Sequence, residues 1–297
     1  MQQPNMWRTA FFVALASVTS AGCAQILGLD KTTQGNEADA ADGSDAPGIC
    51  DVPQPCAVDG SELCGQLFAT GTATARVANP IGAVCPPGGG DGPCAVAVTV
   101  ATKTNLFGMF SPMLAVAATV DDCGRFKASP LPTDGFAMNA DLAVVVAGGT
   151  MVRTATLVRN RTTTGGVLTT VRAPMVPADS VQAWEVASSR PALTSAYLVQ
   201  YPVIATDRSS WTVRLDGVVP LQQPTAPFAF YFSGDAPLGV LAPTQAQTGP
   251  NGTAIVVSNQ PMFAIGGDAS AMAKTCGDVV NLKLVPSTFV FLDLTGC

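Results

Sequence analysis

The chain has 297 residues and no histidine, a length that suggests about two domains. Without imidazole there is no Ser-His-Asp or Cys-His catalysis and no HExxH or Cys2His2 zinc site. Hydrophobic residues reach 47% and charged residues only 12%, which excludes disorder over most of the length. The net charge of -6 argues against a nucleic-acid partner, whose phosphates are bound by Lys and Arg.

In chain order, Arg8 supplies a positive start, Phe11 to Val18 an apolar run, and Thr19-Ser20-Ala21-Gly22-Cys23 a stretch of small residues. These are the parts of a secretory signal. A Cys directly after Ala-Gly resembles the lipobox of bacterial lipoproteins, although Ser20 stands where that pattern favours Leu. The resemblance implies that residues 1–22 are a lipoprotein signal peptide and that Cys23, diacylated by palmitate-like chains, fastens the mature chain to a membrane. Ala24 after the Cys is similar to outer-membrane sorting signals. An ordinary cleaved signal and an uncleaved anchor compete with this reading, because the 21 residues from Thr9 to Leu29 carry no charge and could span a bilayer.

Residues 30 to 49 hold five acidic residues, one Lys and almost nothing apolar. Such a stretch cannot bury a core, so 23–49 is expected to be the lipidated Cys and a flexible, disordered tether. Of the nine Cys, eight remain if Cys23 carries lipid, and disulfides persist in an exported chain. The expected pairs are Cys85 with Cys94 and Cys276 with Cys297. Cys50, Cys56, Cys64 and Cys123 stay unassigned, since sequence does not give connectivity.

From Cys64 onward the hydrophobic period is two. Ala95 to Val100, Gly124 to Ala128, Ser210 to Asp216 and Asn281 to Leu284 alternate; Phe228, Phe230 and Phe232 share a face; Asp141 to Ala147 and Thr253 to Val257 read as buried strands. The near-uncharged run from Cys94 to Val120 reads as two buried strands. Asp outnumbers Glu 18 to 3, a turn-forming bias. Two short helices are expected, at about 177–187 after Pro177 and at about 269–275 behind Asp268 as N-cap. A boundary near 150–166, marked by Arg153, Arg159, Arg161 and a Thr/Gly run, divides a first domain (50–158) from a second (165–297). The predicted class is all-β, two β-sandwich domains after the signal and tether.

Val120-Asp121-Asp122-Cys123-Gly124-Arg125-Phe126, with Thr119 before it, resembles a hairpin of carboxypeptidase regulatory-like (transthyretin-like) β-sandwich domains. Thr248 to Val257 is similar to a hairpin of bacterial Ig-like domains. The resemblance implies sandwich domains that accompany other modules and are themselves non-catalytic. Independently of it, Gly124 and Gly252 are placed to take φ > 0 at tight turns.

No catalytic motif was found. Asp121 and Asp122 are neighbours that a strand would turn to opposite faces, and they read as turn residues rather than calcium ligands. Ser270 to Lys274 misses the SxxK spacing, no GxSxG exists, and Gly88-Gly89-Gly90 reads as a loop pinned by Cys85 and Cys94. Asn160-Arg161-Thr162 and Asn251-Gly252-Thr253 match the glycosylation sequon by chance. Arg153, Arg159, Arg161 and Arg172 could touch anionic glycan or lipid, though a solvated linker face is the plainer reading. Trp184, Trp211, Tyr197, Tyr201 and Tyr231 could stack on sugar, though core packing suits them better. The expected function is a non-catalytic, membrane-anchored cell-envelope lipoprotein, with an adhesin-like module for a glycan or protein as the alternative. No enzyme activity, metal or cofactor is expected.

Overall fold

The computed structural model describes residues 55–69 and 96–294, apart from 58, 109, 122, 138, 149–150, 160–162, 165–166, 169–170, 191–192, 204–207, 223–224, 235–239 and 270–272. The signal, Cys23, the tether, Cys50, Cys85, Cys94 and Cys297 lie outside the described residues. In order, the strands are β1 (Leu63–Ala69), β2 (Ala97–Thr102), β3 (Val116–Val120), β4 (Arg125–Ala128), β5 (Leu142–Gly148), β6 (Met151–Val158), β7 (Thr163–Thr164), β8 (Val167–Leu168) and β9 (Val171–Pro177). There follow β10 (Ala196–Gln200), β11 (Thr212–Leu215), β12 (Phe228–Ser233), β13 (Val240–Ala242), β14 (Thr253–Val257), β15 (Phe263–Ala269), β16 (Lys274–Leu282) and β17 (Phe289–Asp293). Helices α1 (Lys103–Phe107) and α2 (Ala178–Ser188) interrupt them. The protein is all-β, and its described residues belong to one compact unit.

Strands β6, β5, β2, β3, β4, β1 and β9 pair in turn, and β9 pairs back onto β6. This is a closed ring. A ring needs an even number of antiparallel steps to return to its start, and here all neighbours are antiparallel except the parallel pair β1–β9. Its interior is filled by Leu67, Val100, Phe126, Leu142, Val144 and Ala173, all fully or almost fully buried. The expected alternation holds: in β4, Phe126 and Ala128 point in while Arg125 and Lys127 point out. Gly124 has φ 69° in the turn before it.

Strand β6 also carries the rest of the large sheet, in the order β6-β17-β10-β14-β12-β13. Its N-terminal residues Met151 and Val152 pair with β9. Thr154 to Leu157 pair with β17 on the same edge. The sequence boundary expected near 150–166 therefore falls on a strand that serves both halves. The outer sheet is covered on both faces, which is why β10, β14 and most of β12 and β17 are buried. One face packs on the three-stranded sheet β11-β15-β16 and contains Tyr197, Tyr201, Trp211, Tyr231 and Ile265. The other carries Phe228, Phe230 and Phe232, as their shared parity predicts, and is roofed by α2.

Helix α2 forms where expected. Val181, Trp184 and Ser188 share its buried face, and Trp184 meets Phe232 edge-on at 5.1 Å. Ser189, in the left-handed region at φ 53°, ends it. The helix expected at 269–275 does not form. Ala269 instead pairs with Lys274 across the β15–β16 hairpin, so tertiary pairing overrides the local capping signal. The stretch 94–120 is also not two buried strands. After β2 it forms α1, whose Leu106 is buried between the sheets, a 3-10 turn exposing Met113 and Leu114, and the half-exposed β3. Among the described residues no helix is long and apolar enough to cross a membrane. The period-two pattern of 281–284 ends early, because β16 stops at Leu282 and Asn281 has φ 57°.

Gly65 lies opposite Phe126 in the ring. A Cβ there would stand 2.1 Å from the Phe126 ring and 2.5 Å from the Val171 carbonyl. Gly65→Ala should therefore destabilise by about 1–3 kcal/mol, read as a lower denaturant midpoint at unchanged slope. Gly277→Ala, which meets nothing within 4 Å, should stay within ~0.5 kcal/mol of the parent.

Candidate functional site

At the end of the outer sheet where β10 and β17 begin and β14 finishes, a cavity of about 450 Å³ opens. Its floor is apolar, from Leu193, Val257 and Leu284, and its rim is set with the hydroxyl residues Thr194, Ser195 and Ser287. The left-handed turn at Ser189 carries the chain from α2 to Arg190, whose guanidinium sits 4.6 Å above the Phe228 ring. Glu185 fixes this corner: its backbone carbonyl accepts from the Arg190 N–H at 2.9 Å, and its side chain accepts from the Leu193 N–H. A cleft with an apolar floor, several hydroxyls and one cation suits a small polar ligand. Sequence reading singled out none of these residues, because the segments that build the cavity are remote in the chain.

The residues that sequence reading did single out are dispersed. Trp184, Trp211, Tyr197, Tyr201 and Tyr231 are at most 2% exposed, so they form core and not a sugar-stacking platform. Each phenol is anchored: Tyr197 donates to the Lys283 carbonyl, Tyr201 to the Gly266 carbonyl at 2.7 Å, and Tyr231 accepts from the Val213 N–H. Tyr201 and Trp211 stack at 5.2 Å, and the Tyr201 ring fills the space over Gly267.

The basic cluster also separates. Arg153 lies over Phe110 at 4.4 Å and Arg172 over Phe68 at 4.3 Å. Arg159 is exposed, and Arg161 lies outside the described residues. Asp121 is a turn residue, accepting from the Cys123 and Arg125 N–H groups and from Arg125 Nε at 2.6 Å; Asp122 lies outside the described residues. Lys274 is an exposed strand residue. Asn251 is buried, its amide donating to the carbonyls of Ser233 and Gly234, and Gly252 follows at φ 71°.

Cys56 bonds Cys64. Cys123 and Cys276 are also disulfide-bonded. Glu62 lies within 4.8 Å of both sulfurs of the Cys56–Cys64 pair, but the sulfurs bind each other and leave no thiolate ligands. Glu62 is instead held by Lys127 at 2.8 Å. That Lys127 hydrogen bond, then the Ala57 N–H, keeps its carboxyl below the ordinary range. Asp268 and Asp278 flank one cation, Arg214, at 2.6 and 2.9 Å.

No family model and no curated protein matches the chain. Among solved structures, a family 26 carbohydrate-binding module from Eubacterium rectale, solved with maltoheptaose, aligns at 10% identity over 78% of this chain and 91% of that one, with a TM-score of 0.22. A candidate adhesin from Bacteroides ovatus aligns at 6% identity over 78% and 87%, with a TM-score of 0.16. At such scores neither likeness carries an argument about fold or ligand.

The chain has three tyrosines, and all are buried. Burial is the main reason each phenol is raised above its ordinary value near 10. The folded state thus favours the protonated phenol. That stability is complete below pH ~10 and is lost as pH rises above it, by about 1.4 kcal/mol per tyrosine per pH unit. A spectrophotometric titration should show no phenolate in the folded protein at pH ~10, then one step coincident with loss of near-UV circular dichroism. Gradual ionisation with intact dichroism would contradict the buried placement.

Proposed function

We propose that this chain is an exported, lipid-anchored cell-envelope protein whose β body works by binding and not by catalysis. The observation that carries the reading is the state of the cysteines: Cys56, Cys64, Cys123 and Cys276 are all in disulfides. Structural disulfides persist in oxidising compartments outside the cytosol, which agrees with a signal peptide over 1–22. Cys23 is the proposed point of lipidation and 23–49 the tether, with the outer membrane as the destination if the cell has one.

A binding role is supported by how the charged side chains are used. Half-buried carboxylates are committed to ion pairs: Asp121 with Arg125, Glu62 with Lys127, Asp141 with Lys103, and Asp268 and Asp278 with Arg214. A pair clamped on one guanidinium is poorly placed to share a proton as an acid/base dyad. The hydroxyl-rimmed cavity beside Arg190 offers contacts suited to a glycan or a protein loop, the adhesin-like reading.

Growth with a fatty-acid probe should label the full chain, and Cys23→Ser should abolish the label and move the protein from the detergent phase to the aqueous phase. Non-reducing peptide mapping should recover Cys56 joined to Cys64. Reduced cysteines in a cytosolic, unlabelled product would refute the proposal.

A further inference from the structure

Strand β2 leaves the ring at Thr102 into α1, and the chain returns to β3 through Pro112, Met113 and Leu114. The return is pinned by one side chain. The Asn105 N–H donates to the Thr102 hydroxyl, which caps α1. Asn105 Nδ2 then donates to the Ser111 and Leu114 carbonyls at 3.1 and 3.3 Å, and its Oδ1 accepts from the Ser111 N–H at 3.0 Å. The tip is held in one shape, yet Met113 is 94% and Leu114 67% exposed, and Pro112 is exposed as well. Single exposed apolar residues are ordinary. Three in succession on a pinned turn, in a stretch from Cys94 to Val120 whose one charge is Lys103, call for a contact outside the fold.

What they contact follows from where the chain enters the ring. Val98 of β2 faces Ala118 of β3, Ala118 faces Ala128 of β4, and Ala128 faces Leu63 of β1. Both pairings of β4 are antiparallel, so β1 and β3 run the same way. The residues before Leu63 and those before Val116 therefore lie at the same end of the ring, on strands two places and about 10 Å apart. The entering segment stays at that end: Cys56 bonds Cys64 with Cα atoms 6.0 Å apart, and the Ala57 N–H donates to Glu62 at 2.8 Å. Cys23, the proposed site of lipidation, precedes Cys56 by 33 residues. A coil of that length spans about 30 Å, so the proposed anchor keeps this end of the ring close to the bilayer.

We propose that Pro112, Met113 and Leu114 form a seating tip that enters the interface of the bilayer holding the lipid on Cys23. The proposal rests on the lipid-anchor reading. Three apolar residues bind a bilayer weakly by themselves, but a tether makes the contact intramolecular and raises its effective concentration. The lysines of α1 and β4, Lys103 and Lys127, are each held by an acid, Asp141 and Glu62. The attraction is therefore apolar and not to anionic headgroups.

The test places a reporter at the tip. The full-length protein carrying Met113→Trp is reconstituted into phosphatidylcholine vesicles with and without bromine on the acyl chains. Trp184 and Trp211 are buried, and the parent protein supplies the baseline from its own tryptophans. The introduced indole should emit at shorter wavelength than in detergent-free water and be quenched by bromine about twofold more than the parent, with no change as salt rises. Adding Leu114→Asp should return quenching to the baseline at an unchanged native melt, because the side chain is exposed. Val186→Trp, on the exposed face of α2, should stay at the baseline. The chain has no histidine, so a histidine tag replacing residues 1–23 can tie the body to nickel-chelating lipid without lipidation, and quenching should persist there. Vesicle-bound protein with an unquenched tip, or with equal quenching at Val186→Trp, would overturn the proposal and leave the lipid anchor standing. Quenching in the tagged chain with no fatty-acid label on Cys23 would remove the anchor and support the tip.

Discussion

Every strand edge exposes backbone donors and acceptors that must be paired or covered, and in this protein the decisive edge belongs to β6. One side of β6 is given wholly to β5. The other is divided, with Met151 and Val152 for β9 and Thr154 to Leu157 for β17. The first share closes the seven-stranded ring, and the second launches the outer sheet that the three-stranded sheet and α2 cover. Two hydrophobic bodies therefore grow from one strand with no linker between them. Substitutions in β6 should be felt in both cores, since Met151 borders the ring interior while Ala155 and Leu157 sit in the core between the two sheets.

Local pattern was a good guide to strands and a poor guide to their partners. The alternation of Arg125 to Ala128, the shared face of Phe228, Phe230 and Phe232, and the continuous burial of Thr253 to Val257 were all legible, because each depends only on which face of a pleat a side chain occupies. The 178–188 helix was legible from its start signal and length. The 269–275 segment was misread because an Asp-led, Ala-rich run satisfies helix rules locally, while the hairpin that claims Lys274 is set by pairing with β15 and, through it, β11. The division at 150–166 rests on composition, and composition does not record that Met151 to Val158 pairs with three other strands.

The sites were less legible still, for the same reason. The cavity beside Arg190 draws on strand ends far apart in sequence. Arg172 reads in the sequence as a companion of Arg153 and Arg159, whereas its contact in space is the Phe68 ring of β1, which no motif marks. Tyrosine and tryptophan were easier to place, because large aromatics with a polar tip are at home in a core that offers one acceptor each, and Tyr197 and Tyr201 each find a carbonyl.

Scarcity of charge sharpens the meaning of each arginine that lacks an acid. Arg153 has a buried, unpartnered Nη2, yet it lies against Phe110, and burial lowers its guanidinium below the ordinary value. A ring face meets part of the electrostatic need of a half-buried cation, so Arg153 is explained by packing where the segment after α1 closes over the sheets. Arg172 has a ring beneath it as well, Phe68 at 4.3 Å, so its exposed guanidinium is met in the same way.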